Sequence, residues 1–164
     1  MNLEEKFFTA DFIQVSDMGY PIWWDTELTI YNQYKDPVTK VVKWVRNTVS
    51  NCFWKYTGNK VTVGQVELET NTTICRIPKD DRYLARYEWE ALPNDQMEKY
   101  FTLGPGDIII KGAVDDEVDE MEKGERSTDL IAKYKRLQGC IIIQRFTDNT
   151  GRGRNDKHYY VMGE

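Results

Sequence analysis

The stretch "ELTIYNQYKDPVTKVVKWVRN", residues 27–47, constrains the fold more than any other part of the chain. Leu28, Ile30 and Asn32 alternate with Thr29, Tyr31 and Gln33, the period of a half-buried strand over residues 27–34. Pro37 fixes its own φ and keeps Asp36 out of the helical region, so "KDPVTK" turns the chain back into "VVKWVRN" as a hairpin.

Similar chemistry recurs downstream. "CFWKYT" ends at Gly58-Asn59, a pair tolerant of positive φ, which predicts a second turn before "KVTVGQVEL". "TTICRIP" reads as a strand stopped by Pro78, and "YFTL" and "DIIIKG" as short strands around Gly104-Pro105-Gly106. "GCIIIQRFTD" and "KHYYVMGE" form a last pair around the polar loop 148–156. Between them only "STDLIAKYKR" has helical spacing: Ser127 or Thr128 is placed to cap it, and Leu130, Ile131, Tyr134 and Leu137 form an apolar stripe. Residues 86–92 lack period 2, and Tyr87, Trp89 and Leu92 fit one side of a short helical turn. The expected fold is mainly β, a small barrel or sandwich over residues 27–164 with one packed helix. Residues 1–26 read as an extended N-terminal arm, where Trp23 and Trp24 need a surface to bury them, either this domain's flank or a neighbouring subunit.

The length of 164 residues allows one substantial core, and no apolar run approaches a membrane span. The first residues lack a basic leader followed by an apolar stretch, so a soluble, cytoplasmic protein is expected. Cys52, Cys75 and Cys140 are far apart and in apolar contexts, as buried reduced thiols are.

Charge is the other strong feature. The net charge is −5, but residues 115–125 alone carry −6, from Asp115, Asp116, Glu117, Asp119, Glu120, Glu122 and Glu125 against Lys123. An EF-hand starting at Asp115 would need glycine at its sixth position and glutamate at its twelfth, which here are Glu120 and Arg126. Without apolar cover these acids read as an open, hydrated loop and not as a metal or acid/base site. Farther on, "NTGRGRND" carries Arg152 and Arg154 and reads as a flexible hairpin tip, with a contact loop for an acidic partner or DNA as the alternative. No Walker loop, GxSxG, HExxH or dinucleotide fingerprint occurs, and His158, the one histidine, sits on a strand. No enzyme activity, cofactor or metal is expected. Lysines interleaved with aromatics in "KWVRN" and "CFWKY" suit an oligonucleotide-binding barrel, which the net negative charge opposes and cross-strand aromatic packing explains equally well.

Together "LTIYNQYKDPVTKVVKWVRNTVSNCFW", "GDIIIKGAVDDEV", "STDLIAKYKR" and "IIIQRFTDNTGRGRNDKHYYVMG" resemble small structural-module proteins of tailed phages and prophages of Gram-positive bacteria. They carry that family's "IYN-Y-D", "GD-I-KG" and "DN-G---H-YV-G" motifs in order, and the plan is similar to head-closure, or stopper, proteins of phage necks. The resemblance implies a virion structural protein: a connector subunit in a homo-oligomeric ring between the portal-adaptor stack and the tail. Its partners would be copies of itself, portal, adaptor and tail proteins, and DNA passing through the channel without sequence-specific binding. It would be made in the host cytoplasm and end in the virion. A tail-terminator or tail-completion protein and a nucleic-acid-binding barrel remain open, with a metal hydrolase using the acid run ranked last. The residues expected to make contacts are Trp23, Trp24, Asp115, Asp116, Glu117, Asp119, Glu120, Arg152 and Arg154.

Overall fold

A computed structural model describes residues 20–120, 125–151 and 157–164. Six antiparallel strands close into a barrel in the order β1-β2-β3-β6-β5-β4. They are β1 Thr26–Lys35, β2 Val42–Val63, β3 Val66–Pro78, β4 Ile108–Lys111, β5 Cys140–Asp148 and β6 His158–Gly163. Among the described residues two α-helices accompany them, a single turn α1 at Arg86–Glu90 and α2 at Ser127–Leu137. Closure pairs the short β4 with both β1 and β5, so the barrel has no open seam.

The first hairpin forms as its sequence requires. Thr29 to Lys35 pair with Thr48 to Val42. The Asp36 carboxylate accepts the backbone N–H groups of Val38 and Thr39 inside the turn, and these donors hold its pKa below the usual carboxylate value.

Two apolar clusters explain why some strands are buried on both faces. Leu28, Ile30, Val49, Ile77, Ile109, Ile141, Ile143 and Val161 fill the barrel with Phe101 and Leu103. On the outside, Tyr31, Ile108, Ile110 and Cys140 pack against Leu130 and Tyr134 of α2 and against Val114. The run "III" of β4 thus sends Ile109 inward and its neighbours outward, and each finds apolar cover.

Several expectations change. No turn occurs at Gly58-Asn59: β2 runs unbroken through them, Gly58 pairs with Asn71, and the chain reverses at Gly64-Gln65, where Gly64 takes φ +66°. The alternation of Val61 and Val63 with Lys60 and Thr62 outweighs the local turn signal. "YFTL" is not a strand. Phe101 makes one isolated bridge to Tyr83, and Phe101, Thr102 and Leu103 are all buried as a plug in the barrel, so period-2 exposure is lost. In α1 only Trp89 is buried while Tyr87 faces solvent, and in α2 Leu137 is exposed, leaving Leu130 and Tyr134 as its buried contacts.

Candidate functional site

As far as Glu120 the acidic run is a strap, not a free loop. It leaves β4 at Gly112 and crosses the outer cluster. The Val114 N–H donates to Thr29 Oγ1 at 3.1 Å, and the Thr29 hydroxyl donates to the Gly112 carbonyl at 2.7 Å. Tyr31 donates its hydroxyl to the Asp116 carbonyl at 2.7 Å, and Arg46 donates to the Val114 carbonyl at 2.8 Å. Val114 is buried in the outer cluster and Val118 and Trp44 both pack against it, so the apolar cover missing from the sequence reading comes from β1, β2 and α2.

The carboxylates then find partners one by one. Arg46 lies 3.2 Å from Asp115 and 2.9 Å from Glu117. Lys133 of α2 lies 2.8 Å from Asp116 and holds its pKa low, with Glu125 3.9 Å from the same ammonium. Burial, then the neighbouring Asp116, raise the pKa of Glu125. Asp119 joins β2 through its backbone, in an isolated antiparallel bridge to Lys43. One Glu120 oxygen accepts both the Trp44 indole N–H at 3.0 Å and the Ser127 backbone N–H at 3.1 Å, with Ser127 the main cause of its low pKa. Glu120 therefore caps α2 from a distance: the N-cap position falls on Arg126, not on Ser127 or Thr128, and Arg126 makes no side-chain capping bond. Exposed ion pairs of this kind contribute ~0–1 kcal/mol each, so Val114, Val118 and the buried hydrogen bonds hold the strap down. Among the described residues no group of three His, Cys, Asp or Glu is placed to hold a metal ion.

Trp23 and Trp24 separate. Trp24 is 6% exposed, stacked on Tyr20 at 5.2 Å and edge-on to His158 at 5.6 Å, while Trp23 remains 56% exposed. Tyr20 also donates its hydroxyl to the Lys157 carbonyl and accepts the Lys79 N–H, so this part of the arm docks on the domain's own flank. Arg152, Arg154 and residues 1–19 lie outside the described residues.

The sequence reading missed a buried polar network. Asp107, fully buried before β4, accepts the Gln33 N–H at 2.9 Å and the Asn32 amide at 3.1 Å, and it pairs with Arg86 of α1. Asn32 also donates to the Thr102 carbonyl at 2.6 Å and accepts the Thr102 N–H at 3.2 Å. Burial raises the Asp107 pKa to about 6, outweighing Arg86. The signal was present, because Asn32 and Asp107 are the polar members of the "IYN-Y-D" and "GD-I-KG" motifs. Nothing local shows that they meet.

A second feature also went unnoticed. Beyond Tyr56 and Thr73 the strands β2 and β3 pair only with each other, as a two-stranded ribbon leaving the barrel. Its pairs Val61↔Leu68 and Val63↔Val66 share one face, and these four side chains are 48–60% exposed. The opposite face carries Thr62↔Glu67 and Lys60↔Glu69, the latter an ion pair at 3.6 Å.

A closed antiparallel barrel with a strap and helix sealing one outer wall, and a projecting amphipathic ribbon, defines the class of protein. Within it, residues 23–164 match a family described as a family of unknown function (DUF6751), and the chain belongs to that family. No curated protein and no solved structure matches the chain.

Proposed function

We propose that this protein is a non-catalytic assembly part, a head-closure or head-tail connector subunit that works as a homo-oligomeric ring in a phage neck. The observation that carries the reading is the ribbon. Isolated two-stranded ribbons are marginal in water, and this one holds Val61, Val63, Val66 and Leu68 in a row, half-exposed among the described residues. Covering four such half-exposed side chains is worth on the order of 4 kcal/mol, which a second copy supplies in a ring. The strap supports the same reading, because its carboxylates serve as ties and a helix cap rather than as a poised acid/base pair. The motif resemblance supplies the phage context, with portal, adaptor and tail proteins as neighbours.

The test is the mass and shape of the purified full chain by light scattering and negative stain, with Val61→Glu and Leu68→Glu variants. Rings or higher oligomers are expected from the parent, and monomers with an intact barrel from the variants. A parent that stays monomeric at high concentration and with its particle neighbours present sinks the ring. Particles lacking the protein separate the neck roles: filled heads that leak DNA indicate closure, and overlong tails indicate a terminator instead.

A further inference from the structure

Side chains opposite one another in a sheet share a face, so the registers define what the barrel's remaining outer wall presents. One row across it is Lys55, Ile74, Met162 and Arg145, and the next is Phe53, Arg76, Tyr160 and Thr147. Pro78 and His158 follow, with Asn149 beside them. This wall, made of β2, β3, β6 and β5 and uncovered by α2 or the strap, carries three cations and no carboxylate in these rows. In a chain of net charge −5 that is a local reversal of sign. Asp148, next in sequence to Thr147, pairs with Tyr159 and so projects to the other side of the sheet, where its oxygen accepts from Thr150. Among the described residues neither Lys55, Arg76 nor Arg145 has a carboxylate within ion-pair distance. The Arg76 guanidinium rests over the Phe53 ring at 5.2 Å. A groove of about 540 Å³ runs here, lined by Trp24, Arg76, Arg145, Asn149, His158 and Tyr160.

We infer that this wall is a binding face for a single nucleic-acid strand, held by its phosphates on Lys55, Arg76 and Arg145, with Tyr160 beneath the bases. Guanidinium forks match phosphate oxygens bidentately, and cations alternating with aromatic rings on an open sheet face are the arrangement that grips single strands without reading sequence. Trp24 does not serve as a stacking platform, because Tyr20 and His158 already occupy its face and edge. Base contacts are therefore few, and the phosphate term dominates. The net charge of the whole chain does not oppose this, since the acidic strap lies on the other wall, over Tyr31, Ile108 and Ile110. The inference is independent of the ring reading, because one subunit carries the entire face.

The experiment is fluorescence anisotropy of a labelled oligo-dT of about 20 nucleotides titrated with the full chain. Three phosphate contacts on a single strand predict a log Kd against log salt slope of about 2 in magnitude. Arg145→Glu alone, and Lys55→Ala with Arg76→Ala and Arg145→Ala together, are expected to weaken binding at least ~10-fold with an unchanged melting temperature. Asp115→Asn with Glu117→Gln, on the opposite wall, is expected to leave it unchanged. The inference is overturned if the parent does not bind, if the triple variant binds like the parent, or if a duplex of the same length binds more tightly. Equal competition by polyglutamate also overturns it and identifies the face as a docking site for acidic protein.

Discussion

Arg86, on the single-turn helix α1, donates to the carboxylate of Asp107, which is fully buried at the entrance to β4. The pair joins the segment after β3 to the strand that closes the barrel. Removing the guanidinium leaves a buried charge without its counterion, so Arg86→Met is expected to destabilise the protein by ~3–5 kcal/mol. Asp107→Asn, which keeps an acceptor for the Gln33 N–H, is expected to cost less. Urea unfolding of the two variants gives the comparison.

The same carboxyl sets a pH dependence. Burial raises Asp107 from 3.8 to about 6, so the folded protein holds this proton more tightly than the unfolded chain. Its contribution is fully present below about pH 4 and is lost as pH rises through about 6. Urea midpoints are expected to fall across that window in the parent and to flatten in Asp107→Asn. Below it the sign reverses, because Asp116 and Glu120 have lowered pKa values and their contributions vanish as they protonate. A parent slope that is flat between those limits contradicts the assignment.

Glu120 differs from its acidic neighbours. It accepts from both Trp44 and Ser127, so Glu120→Ala is expected to cost ~1–2 kcal/mol by loosening the start of α2. Asp115→Asn removes one end of an exposed pair and is expected to change stability by no more than ~0.5 kcal/mol. Thermal denaturation followed by Trp fluorescence distinguishes them. A test of surface charge on the strap therefore belongs on Asp115 and Glu117, since altering Asp116 or Glu120 also alters the fold.

Gly163 and Gly64 are required for different reasons. A Cβ on Gly163 would lie 2.3 Å from the Ile142 carbonyl oxygen, against backbone that cannot yield cheaply, so Gly163→Ala is expected to cost ~3 kcal/mol or more. A Cβ on Gly64 meets nothing within 4 Å and pays only for its φ of +66°, on the order of 1 kcal/mol. Equal melting temperatures for the two variants would show that the close β5–β6 approach is not rigid.

The three thiols are expected to be silent in the native protein. Cys52, Cys75 and Cys140 are buried, and burial raises all three thiols well above their usual pKa, Cys140 up to about 12. Ellman's reagent at mildly alkaline pH is expected to titrate none of them until urea unfolds the barrel, and all three afterwards. Fast reaction of one in the native state would mean that its strand opens locally.

Much of the barrel was legible because strand periodicity and turn chemistry act over a few residues. Leu28, Ile30 and Asn32 declare a strand, though β1 is buried on both faces and not half-buried, because the strap and α2 cover Thr29 and Tyr31; Asp36 and Pro37 declare its turn, and Leu130 and Tyr134 mark the buried side of α2. Gly58-Asn59 misled because a local turn preference of this size yields to a cross-strand register that extends through it.

The sequence by itself therefore determined the β class, the first hairpin, the helix at Ser127–Leu137 and the position of the charge. Only the tertiary structure decided what that charge does. Glu120 becomes a helix cap and Asp116 a tie to Lys133 because β1, β2 and α2 converge on the strap, and Asp107 is buried because Asn32, Gln33 and Arg86 supply its donors. The basic wall of Lys55, Arg76 and Arg145 likewise exists only as a register across four strands. Local pattern fixes which face a residue takes within its strand, and closure of the barrel fixes which residues share that face.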